Sequence, residues 1–383
     1  MSPIHGHDHD GLLHRRDVVC GGGAAMFGTL LAALLGDAAP VGAEPVAGAV
    51  PEVDRLAVRV VIDSYQLAVA PSTRVGDVAI ERFGWDLGEG PPGRTLISEF
   101  GLSMHAESRR GDEVRRVLVD YGFTPQALIN NVELLDIAPE ALDALVLSHG
   151  HYDHFGGLAG FLRQNGGRLR AKLPFYVGGE ECFCAREWTA PPRAGDFGAL
   201  DRQALEEADV VVTFAEGPAL VADHAFTTGQ VPATTFEKVL SPSRMKVGIE
   251  HGHGCYADRL PEDERSQAVI PDQFRHEIAT VYNLAGKGLV VLTSCSHRGV
   301  LNIVRQARAV SGVQKVHAVL GGFHLAPYQD DYVREVVAGL KGMDVGYVVP
   351  MHCTGEPFYD IARTEMPGRV LRSHTGTRFV FGA

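Results

Sequence analysis

The chain has 383 residues, 45% of them hydrophobic, and a formal net charge of −12. That length suffices for the full core of one large α/β domain, or of two modest ones. The acidic balance argues against nucleic acid as a partner, because neutralising phosphates needs clustered Lys and Arg, and no basic stripe is present.

The first elements lie outside any fold. Arg15-Arg16 precede an apolar stretch over residues 18–35, and Val41-Gly42-Ala43 form a small-residue cleavage pattern before Glu44. This predicts an export signal of the twin-arginine type over residues 1–43, a linker over 44–55 and a folded domain over 56–383. The Gly21-Gly22-Gly23 run and the small-residue exit favour cleavage over anchoring, so no stable membrane span is expected after cleavage. The expected location is periplasmic or extracellular. Twin-arginine export moves folded proteins, which suits a chain that takes up metal before leaving the cytoplasm. His5, His7 and His9 imitate a metal motif, but no strand precedes them, and they are read as a decoy.

From residue 56 the chain alternates strand and helix patterns. Strands are expected over 56–62, 95–104, 116–119, 144–147, 174–177, 209–214 and 219–227, and a hairpin over 278–284 and 288–293 around Ala285-Gly286-Lys287. Further strands are expected over 316–320 and 345–349, with two short ones at 370–374 and 377–381. Helices are expected over 125–135, 157–165, 300–310 and 331–340, with a short turn at 139–142. Residues 180–205 and 241–275 read as loops. Of the six cysteines, Cys20 goes with the signal. No C-x-x-C pair exists, which argues against a cysteine-based structural zinc site. Cys182 and Cys184 read as two semi-buried thiols rather than a redox pair.

Chemistry gathers at four strand ends. The first is Ser148-His-Gly-His-Tyr-Asp-His-Phe-Gly-Gly157, which holds His149, His151, Asp153 and His154 as H-x-H-x-D-H. The others are Thr293-Ser-Cys295-Ser-His297, Gly321-Gly-Phe-His324 and Pro350-Met-His352-Cys-Thr-Gly355. Each repeats one grammar: apolar strand, small or polar turn, histidine. Sites in α/β sheets collect at the carboxyl ends of strands, so the four can meet. Zinc takes neutral imidazole and carboxylate ligands at roughly 2.0–2.2 Å and keeps a position open for water in catalytic sites. Alternation in a tight turn lets His149 and His151 face one metal, and Asp153 with His154 a second. Two metals ~3.5–4 Å apart would bridge a hydroxide nucleophilic at neutral pH.

These pieces, with Glu99-Phe-Gly-Leu-Ser103, Val117-Leu-Val-Asp120-Tyr-Gly122 and Thr228-Gly-Gln-Val-Pro232, resemble the metallo-β-lactamase superfamily. The Cys-Ser-His, Gly-Gly-Phe-His and His-Cys-Thr-Gly set is similar to its dihydropterin-ribofuranosyl-aminobenzene-phosphate-synthase-like branch. The resemblance covers residues 56–383 and implies an α/β fold, an αββα sandwich of two mixed sheets flanked by helices. It implies His149 and His151 on a first metal, and Asp153, His154 and His352 on a second. Asp120 would be the carboxylate behind them that orients the ligand turn.

Two departures stand out. The superfamily's Gly-Asp turn, which supplies a bridging carboxylate, is here Ser294-Cys295-Ser296-His297. His297 is preferred over Cys295 in that place, because a thiolate adds softness and an oxidation risk. The superfamily's separate histidine before that strand is not evident, and His224 is a poor candidate. His324 is split between a substrate-facing catalytic role and a structural hydrogen bond. His251 and His253 read as solvated loop, and Arg305 and Arg308 as an exposed helix face. Ser103 and Ser296 lack the G-x-S-x-G context of a serine nucleophile.

The reading is a metal-dependent hydrolase, with Zn2+ (one or two ions per chain; Fe or Mn as alternatives). A metal-bound hydroxide would act on an ester, lactone, amide or phosphodiester of a small-molecule substrate, with Asp153 both ligating and orienting. The alternatives are a redox di-iron protein, against which His151 argues because a carboxylate stands there in such proteins, and a non-catalytic binding member of the fold.

Overall fold

A computed structural model describes residue 46 and residues 48–67, 69–83, 93–192 and 194–382. The export-signal reading, the His5, His7 and His9 run and Cys20 lie outside the described residues. Two sheets stack face to face. The first runs in the spatial order Val210–Phe214, Leu173–Val177, Ala144–Val146, Glu113–Val119, Ser103–Arg110, Arg55–Ile62, Arg378–Phe381, Val78–Glu81 and Thr73–Val75. The second runs Leu220–Val221, Ala225–Thr227, Thr280–Leu284, Gly288–Leu292, Val316–Gly322 and Tyr347–Met351. Glu52–Val53, expected in a linker, pairs in parallel with Asn283 and Leu284.

Strand periodicity explains the layering. Successive side chains point to opposite faces. Val117 and Val119 therefore face the second sheet while Leu118 faces helices, and Ala144 and Val146 flank Leu145 in the same way. Between the sheets, Val58, Val60 and Val146 meet Tyr282, Val290 and Leu320. Helices Pro125–Leu134 and Leu158–Asn165 cover the outer face of the first sheet through Leu128 and Phe161. Helices Val300–Ser311, Asp330–Gly342 and Glu356–Glu365 cover the second through Val304, Val337 and Phe358. Each such buried aliphatic or aromatic side chain stabilises by roughly 1.5–3 kcal/mol. The architecture is the expected αββα sandwich. Both sheets are mixed: Ala144–Val146 and Leu173–Val177 pair in parallel, as do Val316–Gly322 and Tyr347–Met351, while Thr280–Leu284 and Gly288–Leu292 form the expected antiparallel hairpin.

Several expectations need correction. The strand expected over 95–104 begins only at Ser103. Before it the backbone bonds elsewhere: Ile97 N–H donates to Asn131 Oδ1, and Leu102 N–H to the Asp153 carbonyl. Residues 219–227 form two short strands broken at Ala222 and Asp223, whose φ values are positive. Residues 370–374 contribute only a bridge between Val348 and Val370. Helix Glu356–Glu365 and strands Thr73–Val75 and Val78–Glu81 carry no expectation.

The largest difference concerns the two loops. They contain a side sheet in the order Gly195–Asp196, Ala185–Trp188, Ser243–Lys246 and Val269–Pro271, a hairpin of Gly248–Glu250 with His253–Cys255, and helix Arg202–Glu207. Cys184 and Cys255 form a disulfide, and Cys182 is a buried free thiol. These strands escape periodicity because they are short and centre on a buried ion. Arg186, fully buried, donates to Asp272 and to the carbonyls of Glu181, Cys182 and Cys184.

Candidate metal centre

Four strand ends converge as the grammar predicts. Ala144–Val146 leads to His149, His151, Asp153 and His154; Gly288–Leu292 leads to Cys295 and His297; Val316–Gly322 leads to His324; Tyr347–Met351 leads to His352. The ligand atoms of His149, His151 and His297 lie within 4.8 Å of one another, and so do those of Asp153, His154 and His352. In the second trio Asp153 Oδ2 is 3.1 Å from His352 Nε2 and 3.4 Å from His154 Nε2. All six residues are buried. Cys295 stands between the trios, grouped with His149 and His154, its Sγ 3.2 Å from His154 Nε2. The expectation that His297 replaces a bridging carboxylate meets a different placement: His297 completes the first histidine trio, and Cys295 takes the ground between.

The donor set fits a divalent cation. His149 Nε2, both ring nitrogens of His297 and Nδ1 of His352 are buried without a hydrogen-bond partner among the described residues. Buried polar atoms are ordinarily paired, so these nitrogens mark a position for a ligand. Burial, helped by neighbouring imidazoles, holds His149 and His297 well below the ordinary histidine value, and burial does the same for His151. The neutral ring is the form that ligates metal. Burial alone would raise the Asp153 carboxyl, but the His154 and His352 rings hold it well below the usual carboxylate range. Against the same burial, the Asp153 and Asp120 carboxylates lift His154 to about 10.

Buried carboxylates pin the ligand turns. Asp120 accepts from Ser148 N at 2.8 Å, from Ser148 Oγ at 2.7 Å and from His154 Nδ1 at 2.7 Å, which leaves Nε2 for the centre. Glu277 accepts the N–H groups of His297 and Arg298 at 2.8 and 2.7 Å. Asp63 accepts that of His352 at 2.8 Å. Burial pushes Glu277 up to about 7 and Asp63 up to about 6, both against their N–H donors. Asp120 was expected from the sequence, whereas Asp63 and Glu277 were not. Asp63 carried a usable signal, since it follows its strand directly as Asp120 does; Glu277 carried none.

His276 is a further unexpected support. Its Nε2 lies 3.1 Å from the Gly150 N–H and 3.0 Å from Arg186 Nη2. The residue between His149 and His151 has to be small: a Cβ on Gly150 would lie 2.5 Å from Arg186 Nη1 and 2.6 Å from the Cys182 carbonyl. Phe274 stacks on His297 with centroids 3.8 Å apart.

Other candidates separate from the centre. His224 is buried beside Ser108 and Glu113. His251 and His253 are exposed. Arg305 and Arg308 are partly buried and donate to the Thr234 and Met343 carbonyls. Ser103 and Ser296 donate to the carbonyls of Asp120 and Gly322, structural tasks at the edge of the site. His324 does join it: its ring is 4.1 Å from His297, and Nε2 is 2.9 Å from the Leu240 carbonyl.

Residues 111–179 match the family model of the metallo-beta-lactamase superfamily. The chain is 26% identical over 284 residues to the 7,8-dihydropterin-6-methyl-4-(beta-D-ribofuranosyl)-aminobenzene-5'-phosphate synthase of Methanocaldococcus jannaschii, covering 73% of this chain and 89% of the relative. It is 28% identical over 262 residues to an uncharacterized protein of the same organism, covering 68% and 87%. Among solved structures it is similar to Tm1679, described as a metal-dependent hydrolase of the beta-lactamase superfamily, with a TM-score of 0.60 and 23% identity over 84% of this chain and 98% of that one. The αββα fold is that of Tm1679, and the matched segment, which carries H-x-H-x-D-H, is similar to the metallo-beta-lactamase superfamily.

Proposed function

We propose that the chain is a metal-dependent hydrolase of small-molecule substrates with an ester, lactone, amide or phosphodiester centre. The observation that carries this reading is the convergence of two buried ligand trios from three distant turns, with unpartnered imidazole nitrogens in both. His149, His151 and His297 would hold one cation, and Asp153, His154 and His352 a second, with Zn2+ the first choice for such donors and Fe or Mn the alternatives. A bound cation supplies Lewis acidity and a water acidic enough to attack near neutral pH.

The chain's own residues prepare the ground. Asp153 stays ionised because His154 and His352 face it, and its carboxylate can orient an attacking water as well as ligate. Asp120 fixes the tautomer of His154. Phe274 shields one face of His297 from solvent. The description of Tm1679 as a metal-dependent hydrolase supports this reading, and the methanogen relative's description as a synthase supports an enzyme; the synthase reaction itself is not carried over.

The test measures bound metal and turnover of an ester, lactone and phosphodiester panel before and after chelation. Stoichiometric metal, loss of turnover on removal and recovery on adding Zn2+ are expected. Turnover that survives complete demetallation overturns the reading. We further propose export through the residue 1–43 signal, supported by Arg15-Arg16, the following apolar stretch and a disulfide suited to an oxidising compartment. Cell fractionation tests it, and retention in the cytoplasm overturns it.

A further inference from the structure

Two thiols stand inside the centre, and the hydrolase reading uses neither. Cys295 Sγ lies 3.2 Å from Cys353 Sγ and 3.2 Å from His154 Nε2. Both cysteines are buried and free. They arrive on different turns, Cys295 after Gly288–Leu292 and Cys353 in the turn His352–Thr354. The strand Val316–Gly322 runs between them. Its last residue leaves the room they need: a Cβ on Gly322 would lie 2.8 Å from Cys353 Sγ and 2.2 Å from the Ser294 carbonyl.

Imidazoles surround the pair. The ligand atoms of Cys295, His352 and Cys353 lie within 4.8 Å of one another, and so do those of Cys295, His297 and His324. A carbonyl only accepts, so His324 Nε2 donates to Leu240 at 2.9 Å. That leaves Nδ1 as the lone-pair nitrogen, and it is buried, in a ring that interacts with the Cys353 thiol. One buried cysteine behaves as a small hydrophobe and needs no further reason. Two side by side among imidazoles form a donor set of the soft sulfur and nitrogen kind.

We propose that Cys295 and Cys353, with His324, form a thiolate arm of the centre that takes a thiophilic d-block cation. The proposal rests on the metal centre proposed above and extends it, making one side soft where the flanking trios are imidazole and carboxylate. Each metal–sulfur bond replaces one S–H bond and releases one proton, so a cation held by both sulfurs releases two. No electrons are transferred, and no oxidant is needed.

The test is a Co2+ titration of the reduced, demetallated protein without air, read by absorption. A thiolate-to-cobalt charge-transfer band in the near ultraviolet is expected beside the visible bands. Cys353→Ser is expected to lower it by roughly half, one of two soft ligands being gone. Cys182→Ser, which removes a buried thiol elsewhere, leaves the band unchanged. Should Cys353→Ser fail to fold, the spectrum of the unmodified protein decides alone. Visible bands without the near-ultraviolet band overturn the thiolate arm and leave the hydrolase reading standing. No uptake of Co2+ overturns both. A Cys295–Cys353 disulfide found by mass spectrometry in metal-loaded protein also overturns the arm.

Discussion

Asp63 Oδ1 accepts the backbone N–H of His352 at 2.8 Å, although 289 residues separate them in the chain. His352 has a φ of 49°, a left-handed backbone that a histidine adopts only at a cost of order 1–3 kcal/mol. The bond holds that turn and aims the ring at Asp153. Asp63→Ala is expected to lose roughly 1–3 kcal/mol of stability, the consequence of orphaning a buried donor. Asp63→Asn, which keeps an acceptor oxygen, should recover most of it. Urea melts of the two variants check this; equal losses would assign Asp63 a role in charge instead.

Asp120 serves the other side of the centre through His154 Nδ1 and Ser148. Asp120→Asn is expected to weaken metal binding by about 10–100-fold, as for other carboxylates behind ligating histidines. Competition against a chelator measures it. Unchanged affinity would mean that His154 is oriented by packing.

Gly322 sits where three turns touch. Gly322→Ala places its Cβ 2.2 Å from the Ser294 carbonyl, a backbone atom that cannot swing aside. Overpacking of this kind costs roughly 1–3 kcal/mol. Both chemical denaturation and metal stoichiometry should fall, because the Cys-Ser-His turn has to move. A variant as stable as the parent would show that this strand end is loose.

The disulfide Cys184–Cys255 closes a separation of 71 residues and ties the hairpin strand His253–Cys255 to the start of the side-sheet strand Ala185–Trp188. Cys255→Ser is expected to lose roughly 2–4 kcal/mol. Reductant should bring the parent down to the level of the variant and leave the variant where it is. Equal denaturation midpoints with and without reductant would contradict this.

Glu237 accepts the N–H groups of Leu301 and Asn302 at the start of a helix. Burial raises its carboxyl from 4.5 to about 7 despite those donors. The folded protein therefore keeps a proton that the unfolded chain releases. That contribution to stability is complete below pH 4.5 and is lost as pH rises through 7. Glu237→Gln, neutral throughout, should flatten the stability profile across this window. A profile as steep as the parent's would place the titration elsewhere.

Local sequence decided the parts of this protein that form between neighbours. His149, His151, Asp153 and His154 lie in six consecutive residues, and a strand end with a turn is enough to bring them together. Strand and helix order was legible wherever periodicity was long, as in Val300–Ser311 or Asp330–Gly342. The side sheet was not, because strands such as Ala185–Trp188 are short and pack around the charge of Arg186, which leaves no apolar rhythm. Tertiary structure alone placed His297 with His149 and His151, Cys295 beside Cys353, and Asp63 and Glu277 behind their turns. Those relationships join residues tens to hundreds of positions apart. Their geometry follows from sheet pairing and layer packing, which set the distances between turns and which no local pattern encodes.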